Sequence, residues 1–330
     1  MPARNAADTV ARAVRSVLAQ TFPDFELLVV DDGSTDETAD AALAAAAGDA
    51  RLRILDRGRC GLVAALNAGI DAARGRLIAR LDADDEMLPR RLEAQVALLD
   101  ERPDVGVASG LVEFGGDPRR ALGYALHVEW LNSLVEPDDI ALNRFIESPV
   151  AHPSVMFRRE LIERHGGYLD NDEPEDYELW LRLMDAGVRF AKVREVLLRW
   201  NDRPERLSRT SPRYAADAFY RCKCRYLARW LRAHVGEGRG IWLWGAGRAT
   251  RRRFDGLVRA GVPLAGFVDI DPRKIGQRIG GLPVRAPSGL PPPRDAFVIG
   301  GVGARGAREL IRARLDAQGF VLGQDFVLAA

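Results

Sequence analysis

The stretch that decides the fold runs from residue 25 to 38, FELLVVDDGSTDET. Phe25 through Val30 reads as a buried strand, too short for a buried helix. Asp31 and Asp32 follow, and Gly33-Ser34-Thr35-Asp36-Glu37 supplies the turn and N-cap chemistry of an alanine-rich helix. Upstream, Val10, Val14, Val17 and Leu18 recur at helical spacing until Pro23 stops them. Downstream come a short strand over 51–55, a helix over 62–73 and a strand over 76–81. Strands alternating with helices predict a parallel sheet in an α/β domain.

The front of the chain departs from that plan. Met1-Pro2-Ala3-Arg4-Asn5 is a turn leading into a helix, where a doubly wound domain opens with a strand. The sequence predicts that the first strand is missing or nearly so, that the true start lies upstream, and that Met1 ends an internal strand.

Composition narrows the class. At 330 residues two domains are expected. Hydrophobic content of 47% and charged content of 29% describe an ordinary globular chain. A net charge of +1 gives no electrostatic reason to expect nucleic acid. Nearly all cations are arginine, with lysine only at Lys192, Lys223 and Lys274. Cys60, Cys222 and Cys224 are an odd set with a Cys-x-Cys pair in a helical pattern, which argues against disulfides and for a reducing cytosol. No apolar run reaches the roughly 18 residues of a membrane span, and no signal-peptide core is present. A cytoplasmic protein is expected, soluble or peripheral at the inner face of a membrane.

Two acidic clusters lie at predicted strand ends, Asp31-Asp32 and Asp82-Ala83-Asp84-Asp85 after RLIARL. In open α/β sheets ligands bind just outside those ends. Carboxylates there repel a phosphate unless a cation stands between, and hard divalent ions take carboxylate and phosphate oxygens together. Turn and N-cap chemistry alone accounts for either cluster singly. Both in one sheet favour a metal-bridged nucleoside diphosphate.

Here the sequence resembles glycosyltransferase family 2, the inverting enzymes of GT-A fold. The matching pieces are PARNAADTVARAVRSVLAQTFPDFELLVVDDGSTDET, GLVAALNAGIDAARGRLIARLDADDEMLP, HPSVMFRRELIERHGGY and EDYELWLRL, covering most of residues 2–185 in the family's order. The resemblance implies that Pro2, Ala3 and Asn5 line the nucleoside pocket. It implies that Asp31 or Asp32 bonds the base or ribose, that Asp82 lies near the ribose, and that Asp84 ligates Mg²⁺ or Mn²⁺ on the diphosphate. The donor is then a nucleoside-diphosphate sugar, with UDP favoured, and the acceptor a hydroxyl on a glycan or lipid-linked molecule. Surface polysaccharide assembly is the implied setting.

The general base is expected from Glu175-Asp176. Displacement at an anomeric carbon needs an acceptor hydroxyl that loses its proton as it attacks. Asp176 shares a helix face with Trp180 and Leu183, so it is expected to look inward, whereas Glu175 lies over Leu179 and Arg182. Glu178 is placed to pair with Arg182. His152 either touches the donor or is a core histidine; Cys60 and His165 read as structural.

Some residues depart from the family pattern. Relatives carry Arg-Asn-x-Gly where this chain has Leu66-Asn67-Ala68-Gly69, so Asn67 or another arginine must meet the nucleotide. Arg199-Trp200 lacks the preceding Gln of processive members, which favours single addition. Asn201-Asp202 stands where relatives place a His; Arg199 and Arg206 are the available substitutes.

A second α/β unit begins at WLWGAGRATRRRF, a strand, a Gly-rich turn and a helix. Gly245 and Gly247 open toward a phosphate, and Asp269 lies where a Rossmann domain places its ribose acid. The unit resembles the nucleotide-sugar-binding domain of bacterial sugar acyltransferases, and a scaffold for packing or docking suits it equally. The expected organisation is a GT-A domain over 1–212, a connecting helix over 213–237 and a smaller Rossmann-like domain over 238–330. Phe219, Tyr220, Tyr226 and Trp230 on the connecting helix suit a membrane surface, although packing on the chain's own domains is the commoner use of such a face.

Two other classes fit parts of the pattern. A non-catalytic nucleotide-sugar-binding or regulatory protein has no need of Asp176. A nucleotidyltransferase wants a Gly- and Arg/Lys-rich loop after the first strand, and Ala3-Arg4-Asn5-Ala6 is not one.

Overall fold

The computed structural model describes residues 1–203 and 206–330. In chain order the first elements are β1 (Pro2–Ala3), α1 (Val10–Leu18), β2 (Leu27–Asp31), α2 (Thr38–Ala46), β3 (Leu52–Asp56), α3 (Leu62–Ala72), β4 (Leu77–Ala79) and β5 (Glu86–Met87). Then come α4 (Arg91–Glu101), β6 (Val105–Phe114), α5 (Leu122–Ser133), α6 (Pro137–Asn143), β7 (Met156–Arg158), α7 (Arg159–His165), α8 (Glu175–Asp185), β8 (Arg189–Trp200) and α9 (Leu207–Thr210). The last are α10 (Ala216–His234), β9 (Gly240–Trp244), α11 (Arg248–Arg259), β10 (Leu264–Val268), β11 (Arg278–Ile279), β12 (Leu282–Arg285), β13 (Ala296–Gly300), α12 (Ala307–Asp316) and β14 (Phe326–Leu328).

The chain divides into two compact units. One holds Met1–Ile140, Val150–Asn171 and Glu178–Ser211; the other holds Ala141–Pro149, Asp172–Tyr177 and Pro212–Ala330. The second unit takes the connecting helix and two short segments from the first half, which a linear reading of the sequence does not reveal.

The first unit is built on two sheets. β1, β2 and β3 run parallel, with Pro2 opposite Val30 and Leu27 opposite Leu52. The other sheet has the order β4-β7-β6-β8-β5 and mixes parallel and antiparallel pairs. Every residue of β2 is buried, as a strand covered on both faces must be. α1 lays Val10, Ala13, Val14 and Val17 into the core beneath it. The expected missing first strand is present as two residues, because only Pro2 and Ala3 pair with β2.

The second unit carries a sheet of order β11-β12-β10-β9-β13-β14. Numbered along the chain, its five parallel strands lie 3-2-1-4-5, a Rossmann-like order. Gly245 has φ +121, and a Cβ there would lie 2.9 Å from the side chains of Thr250 and Val302, so this turn requires glycine. α10 packs inside its own unit: Tyr220 meets Phe254 edge-on and Trp230 lies against Phe145 and Phe297. Its aromatic face is therefore an internal packing face. No described helix is long and apolar enough to cross a membrane.

Candidate active site

The first unit gathers charge where β4 ends. Asp82, Asp84 and Asp85 bring carboxylate oxygens within 4.8 Å of one another. Three carboxylates this close need positive partners. Arg80, buried at 6% exposure, pairs with Asp82. Behind it Arg91 is fully buried and donates to the carbonyls of Arg80 (2.7 Å) and Val155 (3.2 Å) and to Gln95 Oε1 (3.1 Å). Burial, with Arg80 beside it, lowers the Arg91 pKa to about 9.

Asp85 is the deepest acid of the three. Its Oδ1 accepts the Asn201 backbone N–H at 2.7 Å, tying the cluster to the end of β8, and its Oδ2 is buried with no hydrogen-bond partner. Burial, with Asp82 and Asp84 nearby, raises its pKa well above the usual carboxylate range. Asp84 is also raised, by burial and then by Asp82. The Asp84 carbonyl accepts from Asn201 Nδ2 (2.8 Å) and Arg12 (3.3 Å). A cluster with an orphaned buried carboxylate oxygen and repelling neighbours fits a hard divalent cation.

The wall over β2 is held by turns. Asp31 Oδ1 accepts from the Ser34 N–H (2.9 Å) and hydroxyl (2.6 Å). Asp32 Oδ1 accepts the N–H groups of Cys60 and Gly61, both at 2.7 Å, where α3 begins. Asn5 Oδ1 accepts the Thr35 N–H at 2.9 Å, and Asn5 has φ +47. Pro2 and Ala3 pair with Val30 and Asp31, so the first loop and the Asp31 turn form one rim.

Other expected contacts are engaged within the protein. Asn67 donates to the Tyr168 carbonyl and accepts its N–H, both at 2.9 Å. His152 is buried, with Nε2 2.8 Å from the Tyr168 hydroxyl and its ring edge-on to Trp180. Burial and the Arg80 charge push its pKa well below 6.5, so it is neutral. Of the two arginine substitutes, Arg199 faces Glu113 at 3.4 Å. Arg206 stacks over Trp200 at 4.6 Å, and its charge bears on both Asp84 and Asp85.

The acids at the head of α8 belong to the second unit by its contacts. Glu175, 1% exposed, accepts the Tyr214 hydroxyl at 2.8 and 2.7 Å. Asp176 is half-buried, and its Oδ1 accepts the Tyr177 N–H at 2.7 Å. The expected inward phase of Asp176 is not what burial shows: Glu175 is the buried acid and Asp176 is only half-buried, while Tyr177, Glu178, Leu179, Trp180 and Leu181 on both phases are all buried. Glu178 pairs with Arg182 at 2.9 Å. In the second unit, Asp269 accepts the N–H groups of Ala246 and Asp271, both at 2.9 Å, and pairs with Lys274 at 3.1 Å; Gly247 caps α11.

Sequence reasoning missed Arg80 and Arg91. A lone arginine inside an apolar strand, followed eleven residues later by another at a helix start, was the available signal.

The profile of Glycosyl transferase family 2 matches residues 1–166, half of the chain. The chain belongs to glycosyltransferase family 2. It is 29% identical over 227 residues to the O-antigen biosynthesis glycosyltransferase WbnJ of Escherichia coli, covering 67% of this chain and 83% of that protein. Two solved structures share the fold. TarS of S. aureus, in complex with UDP-GlcNAc, is 18% identical with TM-score 0.51 over 72% of this chain and 66% of that one. The mannosyltransferase PcManGT from Pyrobaculum calidifontis, in complex with GDP-Man and Mn²⁺, is 21% identical with TM-score 0.50 over 79% and 67%. The chain thus spans about two thirds of each of these structures. The family 2 unit has the GT-A fold, and the second unit is the smaller Rossmann-like domain.

Proposed function

We propose that this family 2 transferase is metal-dependent, inverting and non-processive. It moves a sugar from a nucleoside diphosphate, with UDP favoured, to a hydroxyl on a glycan or lipid-linked acceptor during surface polysaccharide assembly. The observation that carries the reading is the Asp82, Asp84 and Asp85 cluster at the end of β4 with its buried, unbonded Asp85 oxygen. A protein of the same fold solved in complex with GDP-Man and Mn²⁺ supports it, and the O-antigen role named for WbnJ supports the setting.

In this reading Asp84 holds the cation and Asp82, aligned by Arg80, faces the ribose. The rim of Pro2, Ala3, Asn5 and the Asp31-Asp32 turn lines the nucleoside pocket. Arg206 reaches the diphosphate, and Asn67 and His152 support the donor wall through Tyr168. When bound, the divalent ion supplies Lewis-acid neutralisation of the charge that grows on the departing diphosphate. Asp176 takes the proton of the acceptor hydroxyl as its oxygen bonds the anomeric carbon and the bond to the diphosphate breaks on the opposite face. One displacement inverts the centre. Glu175, committed to Tyr214, holds the helix start that presents Asp176. Free cysteines, two of them buried, suit a reducing cytoplasm.

The test is transfer and hydrolysis across a panel of nucleotide sugars, with Mn²⁺ and with EDTA. Turnover of at least one donor that is lost in EDTA and in Asp84→Ala supports the reading. Turnover that survives both removes the metal mechanism.

A further inference from the structure

The segment that carries Asp176 is held by the second unit. Asn171 and Glu178 belong to the first unit, as do Pro2, Asp32 and Asp84, whereas Asp172–Tyr177 belong to the second. That short segment includes two buried carboxylates, Glu173 at 9% exposure and Glu175 at 1%. Burying both so close together is costly unless each finds a donor.

α10 and the residues just before it supply those donors. Arg225 donates from Nη2 to Glu173 Oε2 at 2.7 Å and from Nη1 to Glu173 Oε1 at 3.3 Å, a bidentate pair. Arg221 lies one turn earlier on the same exposed stripe of α10 and donates to the Asp172 carbonyl at 3.0 Å. The Tyr214 hydroxyl donates to Glu175, within 2.8 Å of both carboxylate oxygens. Tyr177, fully buried, donates its hydroxyl to the Arg144 carbonyl at 2.6 Å, and its ring lies 5.5 Å from that of Phe219. Asp176 sits among these grips with Oδ1 on the Tyr177 N–H, so the shape of 172–177 sets the direction of its carboxylate.

The opposite face of α10 is anchored. Lys223 is buried and donates to the carbonyls of Ile146 (2.7 Å) and Ala329 (2.9 Å). A Cβ on Gly256 of α11 would lie 2.9 Å from the Cys224 Cβ, so the two helices pack backbone-close at that point. Arg221 and Arg225 therefore reach out from a fixed helix.

We propose that Arg225 is a positioning residue for sugar transfer. With Arg221 and Tyr214 it holds residues 172–177 in the one shape that aims Asp176, so the second unit contributes to transfer by orienting the base. This rests on the reading of Asp176 as that base. Misplacing a reacting group by about 1 Å costs on the order of a hundredfold in rate. The donor groups lie in the first unit, so loosening the clasp lowers kcat and leaves donor KM in place.

The experiment compares wild type with Arg225→Met, Arg225→Lys, Glu173→Gln, the Arg225→Met/Glu173→Gln pair and Asp176→Asn. Three readouts are taken: deuterium exchange over 172–178, UDP affinity by calorimetry, and turnover of the nucleotide sugar that the wild type accepts from the panel above. The Arg225 side chain is 44% exposed, so its replacement leaves the core intact. Arg225→Met is expected to speed exchange over 172–178 about tenfold or more and to lower kcat about ten- to a hundredfold. UDP affinity and donor KM are expected to stay within about twofold. Arg225→Lys, which keeps the charge but not the fork, is expected to fall between. The double variant is expected to lose no more than the worse single one, because both break the same contact. Unchanged exchange in Arg225→Met and Glu173→Gln overturns the proposal. So does a loss that appears in UDP affinity with kcat kept, or faster exchange at full kcat when Asp176→Asn has lost it. Full turnover by Asp176→Asn sinks the base reading instead, and the exchange comparison then decides alone whether α10 holds the segment.

Discussion

The Arg80 guanidinium pairs with the carboxylate of Asp82, two residues along the same strand end. The first acid of the Asp82-Ala83-Asp84-Asp85 run is thus already balanced by protein, and Arg91, bonded to the Arg80 carbonyl, fixes that strand end from behind. Arg80 therefore has two opposed effects. It aligns Asp82 and it repels a second cation.

Replacing Arg80 by Met removes a buried positive charge beside three carboxylates. Mn²⁺ affinity of the free protein is expected to rise about tenfold, since a unit charge at this range is worth kilocalories in a partly buried site. Affinity for the nucleoside-diphosphate donor is expected to fall, because Asp82 is no longer held. Electron paramagnetic resonance of free Mn²⁺ reads the first and calorimetry the second. Weaker Mn²⁺ binding would show that Arg80 serves only as scaffold.

His152 gives the fold a pH dependence with a definite sign. Its folded pKa lies well below 6.5, so in that window the unfolded chain binds a proton that the folded one does not. Stability is complete above about pH 6.5 and is lost as pH falls below it. Urea denaturation at pH 7.5, 6.5 and 5.5 is expected to show the wild type losing up to about 1.4 kcal/mol more per pH unit than His152→Asn. The groups facing the ring are Tyr168, Trp180 and the Arg80 charge. Parallel pH profiles for the two proteins would contradict this.

Asn67 spends its amide on the Tyr168 backbone. Asn67→Ala should lose two hydrogen bonds and leave backbone groups unpaired, costing about 2 kcal/mol in urea denaturation. Donor affinity is expected to weaken only through the loosened Tyr168 loop, by less than about tenfold. A larger affinity loss at unchanged stability would make Asn67 a direct nucleotide contact.

Glu175 and Asp176 separate under conservative substitution. Glu175→Gln is expected to keep measurable transfer and to lose about 1.5–3 kcal/mol of stability, because Tyr214 donates to a buried charged acceptor. Asp176→Asn is expected to fold normally and to lose about a hundredfold or more in kcat, with donor affinity unchanged. The reverse pattern would move the base to Glu175.

Much of this was legible in the sequence where local rules suffice. FELLVV carries a strand, although β2 begins only at Leu27 and runs to Asp31; Gly33-Ser34 must turn, and both acidic clusters fall at strand ends, so the α/β fold and the Asp82, Asp84 and Asp85 cluster were legible. The Gly245 turn was readable for the same reason. What the sequence hid depends on partners far along the chain. Asn67 is held by Tyr168, Glu175 by Tyr214 and Asp85 by Asn201, and no local pattern joins residues 101, 39 or 116 apart. The phase argument for Asp176 failed to discriminate because Glu175, on the other phase, is buried as well and held by Tyr214, which periodicity alone does not foresee. Arg80 and Arg91 were missed because burying arginine is costly unless carboxylates and carbonyls wait for it, and the carbonyls that hold Arg91 belong to Arg80 and Val155, 11 and 64 residues away.

The most direct test of the central claim is UDP affinity by calorimetry, with and without Mn²⁺, for wild type and Asp84→Asn. The account predicts that Mn²⁺ tightens UDP binding to the wild type by about tenfold or more and has no such effect on the variant. The same UDP affinity with and without Mn²⁺, or an equal gain in Asp84→Asn, would contradict it.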